Sequence, residues 1–131
     1  MNFYQKIPIA FDQTKMNRQQ KLNSASNPNT PIKTLQLLAT DEDCDVRRYV
    51  AENPNTPLET LKLLATDKDS FVRYWVAKNP NTPLESLQIL ATDENSSVRY
   101  GVAQNPNRTE LIERLVFMTD YTRYYPAPVD E

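Results

Sequence analysis

Three aspartates, Asp41, Asp67 and Asp93, and three arginines, Arg47, Arg73 and Arg99, recur every 26 residues, each arginine six positions after its aspartate. Carboxylates beside guanidinium groups are the raw material of an anion-binding or acid–base site. A catalytic centre is needed once, however, whereas a structural contact is needed in every unit. A planar guanidinium with five donors suits such a bridging contact. The repetition therefore predicts a ladder between neighbouring units. Cys44 occupies the column of Ser70 and Ser96, near an expected helix start, where a thiol's pKa can fall. With no histidine to activate it and acidic neighbours at 42, 43 and 45, it reads as a small residue in a serine position. No Gly-rich phosphate loop is present, and one cysteine without histidine provides neither a disulfide nor a usual zinc set. Neither an enzyme, a metal nor a cofactor is expected.

The elements that carry these residues follow from self-alignment. Segments 27–52, 53–78 and 79–104 repeat without a gap, and fourteen of the 26 columns are identical in all three: N-P-N-T-P, two leucines, A-T-D, V-R and V-A. Regular periods of this length mean stacked units. A damaged fourth copy begins at "NPNRTELIERLVFMTD", so 105–131 is expected to be a degenerate repeat and carboxyl-terminal cap. Residues 1–26 are expected to form an amino-terminal cap or degenerate repeat. The polar "QKLNSAS" and the Tyr-rich "TDYTRYYPAPVDE" are the candidate seals of the two ends.

Within a unit, Thr56 predicts an N-cap, Pro57 the first helical position and Glu59 a capping box, a device repeated at Thr82, Pro83 and Glu85. Leu58, Leu61, Leu64 and Ala65 form an apolar stripe at helical spacing. A second, shorter helix, compatible with 3₁₀ character, is expected through "FVRYWVAK", capped by Asp69 or Ser70 and ended by the next Asn-Pro. With one glycine and no alternating apolar run, the fold class is all-α, a short curved solenoid of two-helix repeats. A further apolar column, Leu37, Leu63 and Ile89, is expected to be buried between repeats. The asparagines of each N-P-N serve turns, where amide side chains bond nearby backbone, and are also able to stack along the solenoid.

The unit N-P-x-x-P-x3-L-x2-L-A-x-D-x4-V-R-x2-V-A resembles the leucine-rich repeat variant family, a bacterial group, over roughly residues 27–120. That resemblance implies a right-handed superhelix of a long α-helix and a short α or 3₁₀ helix per repeat. The D-x4-V-R portion also looks like HEAT repeats. The iron–sulfur segment of some family members is not implied here, because Cys44 stands alone inside a repeat.

Composition narrows the function. The 131 residues are 39% hydrophobic and 24% charged, as in one globular domain, and the net charge is −2. Charges by unit run +3, −2, +1, −2 and −2, so no positive track for nucleic acid emerges. The start, "MNFYQKIPIAFDQTK", does not read as a signal peptide, no segment reaches membrane-spanning length, and a reducing, cytoplasmic setting is expected. Four second-helix columns vary while the framework stays constant: 45/71/97, 48/74/100, 49/75/101 and 52/78/104. They carry Arg48, Tyr49, Phe71, Tyr74, Trp75, Lys78 and Tyr100, residue types enriched at binding hot spots. Gly101 and Asp45 in these columns argue against mere gap filling. The reading is a non-catalytic scaffold that binds a protein or peptide through this aromatic face. The alternatives are a HEAT-like nucleic-acid module using Arg48, Arg73, Lys78 and Arg99, or a homodimer through the same face.

Overall fold

The computed structural model describes residues 15–126, 128 and 129. The stretch read for a leader, up to residue 14, and with it the first half of the expected amino-terminal cap, lies outside them. Eight helices run through the described residues: α1 Arg18–Ser26, α2 Ile32–Leu38, α3 Cys44–Glu52, α4 Leu58–Leu64, α5 Ser70–Lys78, α6 Leu84–Ala91, α7 Ser96–Gln104 and α8 Glu110–Tyr124. Helices α2–α3, α4–α5 and α6–α7 are the paired elements of the three full copies. Helix α1 sits in register as a second helix, and α8 as a lengthened first helix.

The two helices of a repeat differ from the expected long-then-short order. The second, Ser70–Lys78, is a nine-residue α-helix, while the first, Leu58–Leu64, has seven residues. Tight i→i+3 geometry appears instead after the first helix, where Thr66 N–H donates to the Leu63 carbonyl and Asp67 N–H to that of Leu64. The capping box at Thr56 is also absent. Thr56 is buried and its Oγ1 donates to the Val50 carbonyl at 2.6 Å, which leaves Pro57 as N-cap with no side-chain bond. Thr30 and Thr82 make the same bond, to Ser24 and Val76. A hydroxyl that satisfies a carbonyl at the end of the preceding helix locks the inter-helix angle, a gain no local cap provides. Freed from capping, Glu59 and Glu85 stand exposed on either side of Lys62, at 3.3 and 2.8 Å.

Second helices begin with true caps. The carboxylates of Asp43 and Asp69 accept from the N–H two residues on, and the Asn95 amide oxygen does the same for Ser97. Arg18 Nε donates to Asp43 at 2.7 Å. The N–H of Asp45 and the Arg18 guanidinium together hold the Asp43 carboxyl below its usual range. A depressed folded value makes its contribution complete above the unfolded value of about 3.9, and that contribution is lost as pH falls. Asn95 shows that an amide fills the position, so Asp43→Asn is expected to cost up to about 1 kcal/mol at neutral pH. Thermal melts of both proteins from neutral to acid pH should show that gap closing.

The core follows the helical stripes. Leu61, Leu64, Val72 and Val76 and their counterparts in the other copies are fully or almost fully buried. Leu58, placed in this stripe by its spacing, is instead 53% exposed, and the column Leu37, Leu63, Ile89, expected between repeats, is 49 to 58% exposed. The reason is curvature. The second helices α1, α3, α5 and α7 pack successively on one another, whereas α2, α4 and α6 scarcely touch. A stack that is tight on one side and open on the other bends with the tight row inside. The outer row is therefore splayed too far for its outward leucines to be covered.

Candidate partner-binding face

The Asp and Arg columns form rungs between consecutive units. Arg47 donates through Nε and Nη2 to both carboxylate oxygens of Asp67, at 2.8 and 3.2 Å, and through Nη1 to the Asp41 and Glu42 carbonyls. Arg73 repeats the fork on Asp93, at 2.8 and 3.1 Å, with Nη1 on the Asp67 carbonyl. At the ends, Lys21 takes the arginine's place against Asp41 and Asp120 of α8 receives Arg99. The hydrogen bonds to Asp67 and Asp93 raise the pKa of Arg47 and Arg73 above the ordinary arginine value, against the opposing effect of burial. A groove of about 390 Å³ opens beside Asp41, Arg47 and Asp67. Every Arg47 nitrogen there already donates, so the groove offers no free fork to an anion.

The asparagines do both jobs at once. Asn53 Oδ1 accepts from Asn55 N–H within the turn, while its Nδ2 donates to the Ala25 and Asn27 carbonyls at the end of α1, where the preceding N-P-N turn begins. Asn79 and Asn105 repeat this pattern. One amide thus closes the turn and pins it to its neighbour. Asn55, Asn81 and Asn107 add exposed bonds to the carbonyls of Pro28, Pro54 and Pro80.

The variable columns lie on the inner row and divide into two groups. Tyr49, Tyr74 and Trp75 are half-buried and pack against the core. Tyr74 and Trp75 meet edge to face at 5.4 Å. Lys78 Nζ lies 5.5 and 5.2 Å from their ring centres, and Arg48 lies 4.9 Å over Tyr49. Arg48 Nε is buried without a partner. The second group, Phe71 and Tyr100, is 68% and 60% exposed. These two rings, with Tyr74, Ser70, Asn95 and Ser97, line a groove of about 420 Å³ between the starts of α5 and α7. Asn95, which lies outside the four variable columns, stands in its wall beside Ser97 of the 45/71/97 column. A smaller groove beside Cys44, Arg48 and Phe71 repeats the site one unit earlier.

Gly101 needs a different explanation from the one its variability suggested. A Cβ there would stand 3.1 Å from Ala77 Cβ and from a Tyr74 ring carbon, and 3.2 Å from the Tyr74 carbonyl. Glycine is what lets α7 approach α5 while the Tyr74 ring fills the space. Part of the aromatic set is therefore seam packing, and the open part is the Phe71–Tyr100 groove. Of the cations a nucleic-acid surface would use, Arg73 and Arg99 are committed to carboxylates, leaving Arg48 and Lys78 over aromatic rings.

No helix of the described residues is long and apolar enough to cross a membrane. Among those residues no three acidic or Cys side chains gather as a metal site, and Cys44 is a free, exposed thiol. Residues 45–69 match the leucine rich repeat variant model. That span runs from the first turn of α3, through the N-P-N turn and α4, to the cap of α5. It covers about one repeat and indicates a distant relationship to repeat proteins. No curated protein and no solved structure matches the chain.

Proposed function

We propose that this chain is a non-catalytic repeat scaffold that binds an extended peptide or protein segment on its inner row of second helices. In this reading residues 27–104 are the working array, flanked by caps or degenerate repeats at 1–26 and 105–131, and the lone cysteine suits the cytoplasm. The supporting observation is the groove whose walls carry exposed Phe71 and Tyr100, an apolar recess with Asn95 and Ser97 as orienting polar groups. Arg48, Tyr49, Tyr74, Trp75 and Lys78 extend it along the row. Convergent aromatic and cationic side chains on a rigid surface are what recognition sites concentrate.

The test is selection of peptides from a random library on the wild-type protein, followed by titration of the winners against Phe71→Ala/Tyr100→Ala. Both side chains are exposed, so the fold should survive their truncation, and affinity is expected to drop at least about tenfold. Trp75→Ala should weaken binding further, with some loss of stability because its ring is half-buried. Binding that survives the double variant, with amide shifts confined to α2, α4 and α6, would place recognition on the outer row and refute the assignment.

A further inference from the structure

The two ends of the stack differ in polarity. At the α1 end, the position equivalent to Trp75 and Gly101 is Asn23, exposed and accepting from Gln19 at 2.9 Å. Among the described residues that end is a polar cap, as a solenoid needs. At the other end α8 buries Ile112 and Val116 against the stack and turns the opposite face outward. Phe117, Met118 and Tyr121 there are 50 to 65% exposed, and Tyr125 is 67% exposed. Phe117, Tyr121 and Tyr125 follow one another ring to ring at 6.2 and 5.1 Å. Of the Tyr-rich segment expected to seal this end, Asp120 joins the seam through Arg99 while Tyr121, Tyr124 and Tyr125 are exposed.

We infer that this face of α8 is an isologous interface, on which a second copy of the chain docks with its own α8 antiparallel. Three observations select that occupant. A head-to-tail contact would need an apolar complement at the α1 end, where the surface of the described residues is polar, which disfavours that arrangement. The face is also unequal along its length, with Glu110, Glu113 and Arg114 in its first half and the tyrosines in its second. Antiparallel pairing sets Arg114 against the Tyr121 ring of the other copy and the glutamates against tyrosine hydroxyls; parallel pairing would oppose like charges. Finally, a recess of about 690 Å³ lined by Glu110, Glu113, Arg114, Phe117 and Met118 leaves room for a ring from the partner. A two-fold contact closes after one partner, which prevents filaments.

Sedimentation velocity of the full chain over a dilution series should show a reversible dimer. Phe117→Glu should raise its dissociation constant on the order of 30-fold, while Phe71→Ala leaves it unchanged. That pairing separates this interface from the peptide groove, so either assignment can fail alone. A monomer at every concentration, or a dimer indifferent to Phe117→Glu, overturns the inference. Should Phe117→Glu lower the melting temperature, Met118→Cys in a Cys44→Ser background decides. The introduced thiol lies near the two-fold axis and should form a symmetric disulfide on mild oxidation, whereas Gln19→Cys should not; equal cross-linking at both positions overturns the inference.

Discussion

Arg73→Ala is expected to destabilise the fold by about 3 kcal/mol and to lower the melting temperature by roughly 10 °C. The Arg73 and Asp93 side chains are only 12% and 10% exposed, so removing the guanidinium strands a carboxylate in a poorly solvated seam. It also takes a donor from the Asp67 carbonyl at 2.8 Å. A matched control spans the same two units. Lys62 and Glu85 also pair across them, at 2.8 Å, but with side chains 39% and 64% exposed. Lys62→Ala should change stability by less than about 1 kcal/mol, because solvent screens such a pair and ordering its long side chains costs entropy. Equal effects of the two variants in thermal melts would mean that the rung is no more than surface decoration. Replacing both partners, Arg73→Met with Asp93→Asn, should recover much of the loss, since no charge is then stranded.

How much of this was legible in the sequence depends on whether a feature belongs to one unit or to the spacing between units. The 26-residue period, the two helices per unit, the inward Val72 and Val76, and the helix end at Asn79-Pro80 follow from local chemistry repeated three times. Leu63 misled because its face of α4 resembles a contact surface. Only the splay of the outer row, which no single unit encodes, leaves it 54% exposed. Thr56 misled for a related reason: a threonine before Pro-x-Glu satisfies the pattern of a local cap, yet its hydroxyl is worth more on the Val50 carbonyl of the previous helix. Gly101 in a variable column argued against gap filling, yet its reason is a packing one that appears only once α7 lies against Tyr74. For the proposed binding face, sequence variation marked the second helices, but the division into half-buried Trp75 and open Phe71 required the packing.

The asparagine column supplies the sharpest discrimination between a local and an inter-unit role, through a substitution that changes almost no volume. Asn79 is 3% exposed; its Oδ1 accepts from Asn81 N–H at 2.9 Å, and its Nδ2 donates to the Ala51 and Asn53 carbonyls at 2.8 and 3.2 Å. If closing the turn were its whole purpose, Asn79→Asp would be nearly silent, because a carboxylate oxygen accepts from Asn81 at least as well. With the pin in place, the new oxygen instead faces two carbonyl oxygens, and a charge is buried with one donor. The expected cost is about 3 kcal/mol or more, above that of Asn79→Ala, which leaves two carbonyls and the Asn81 N–H without this partner but buries no charge. Burial raises the introduced carboxyl's folded pKa, so its penalty is full at neutral pH and shrinks as pH falls through that value and the protonated group regains a donor. Asn81→Asp, made at an exposed position, should cost under about 1 kcal/mol. Urea titrations of the three variants at neutral and mildly acid pH would show Asn79→Asp as the least stable, then Asn79→Ala, then the exposed control. Wild-type stability in Asn79→Asp would reduce the column to turn chemistry and leave the arginine rungs and the buried leucines to hold the units together.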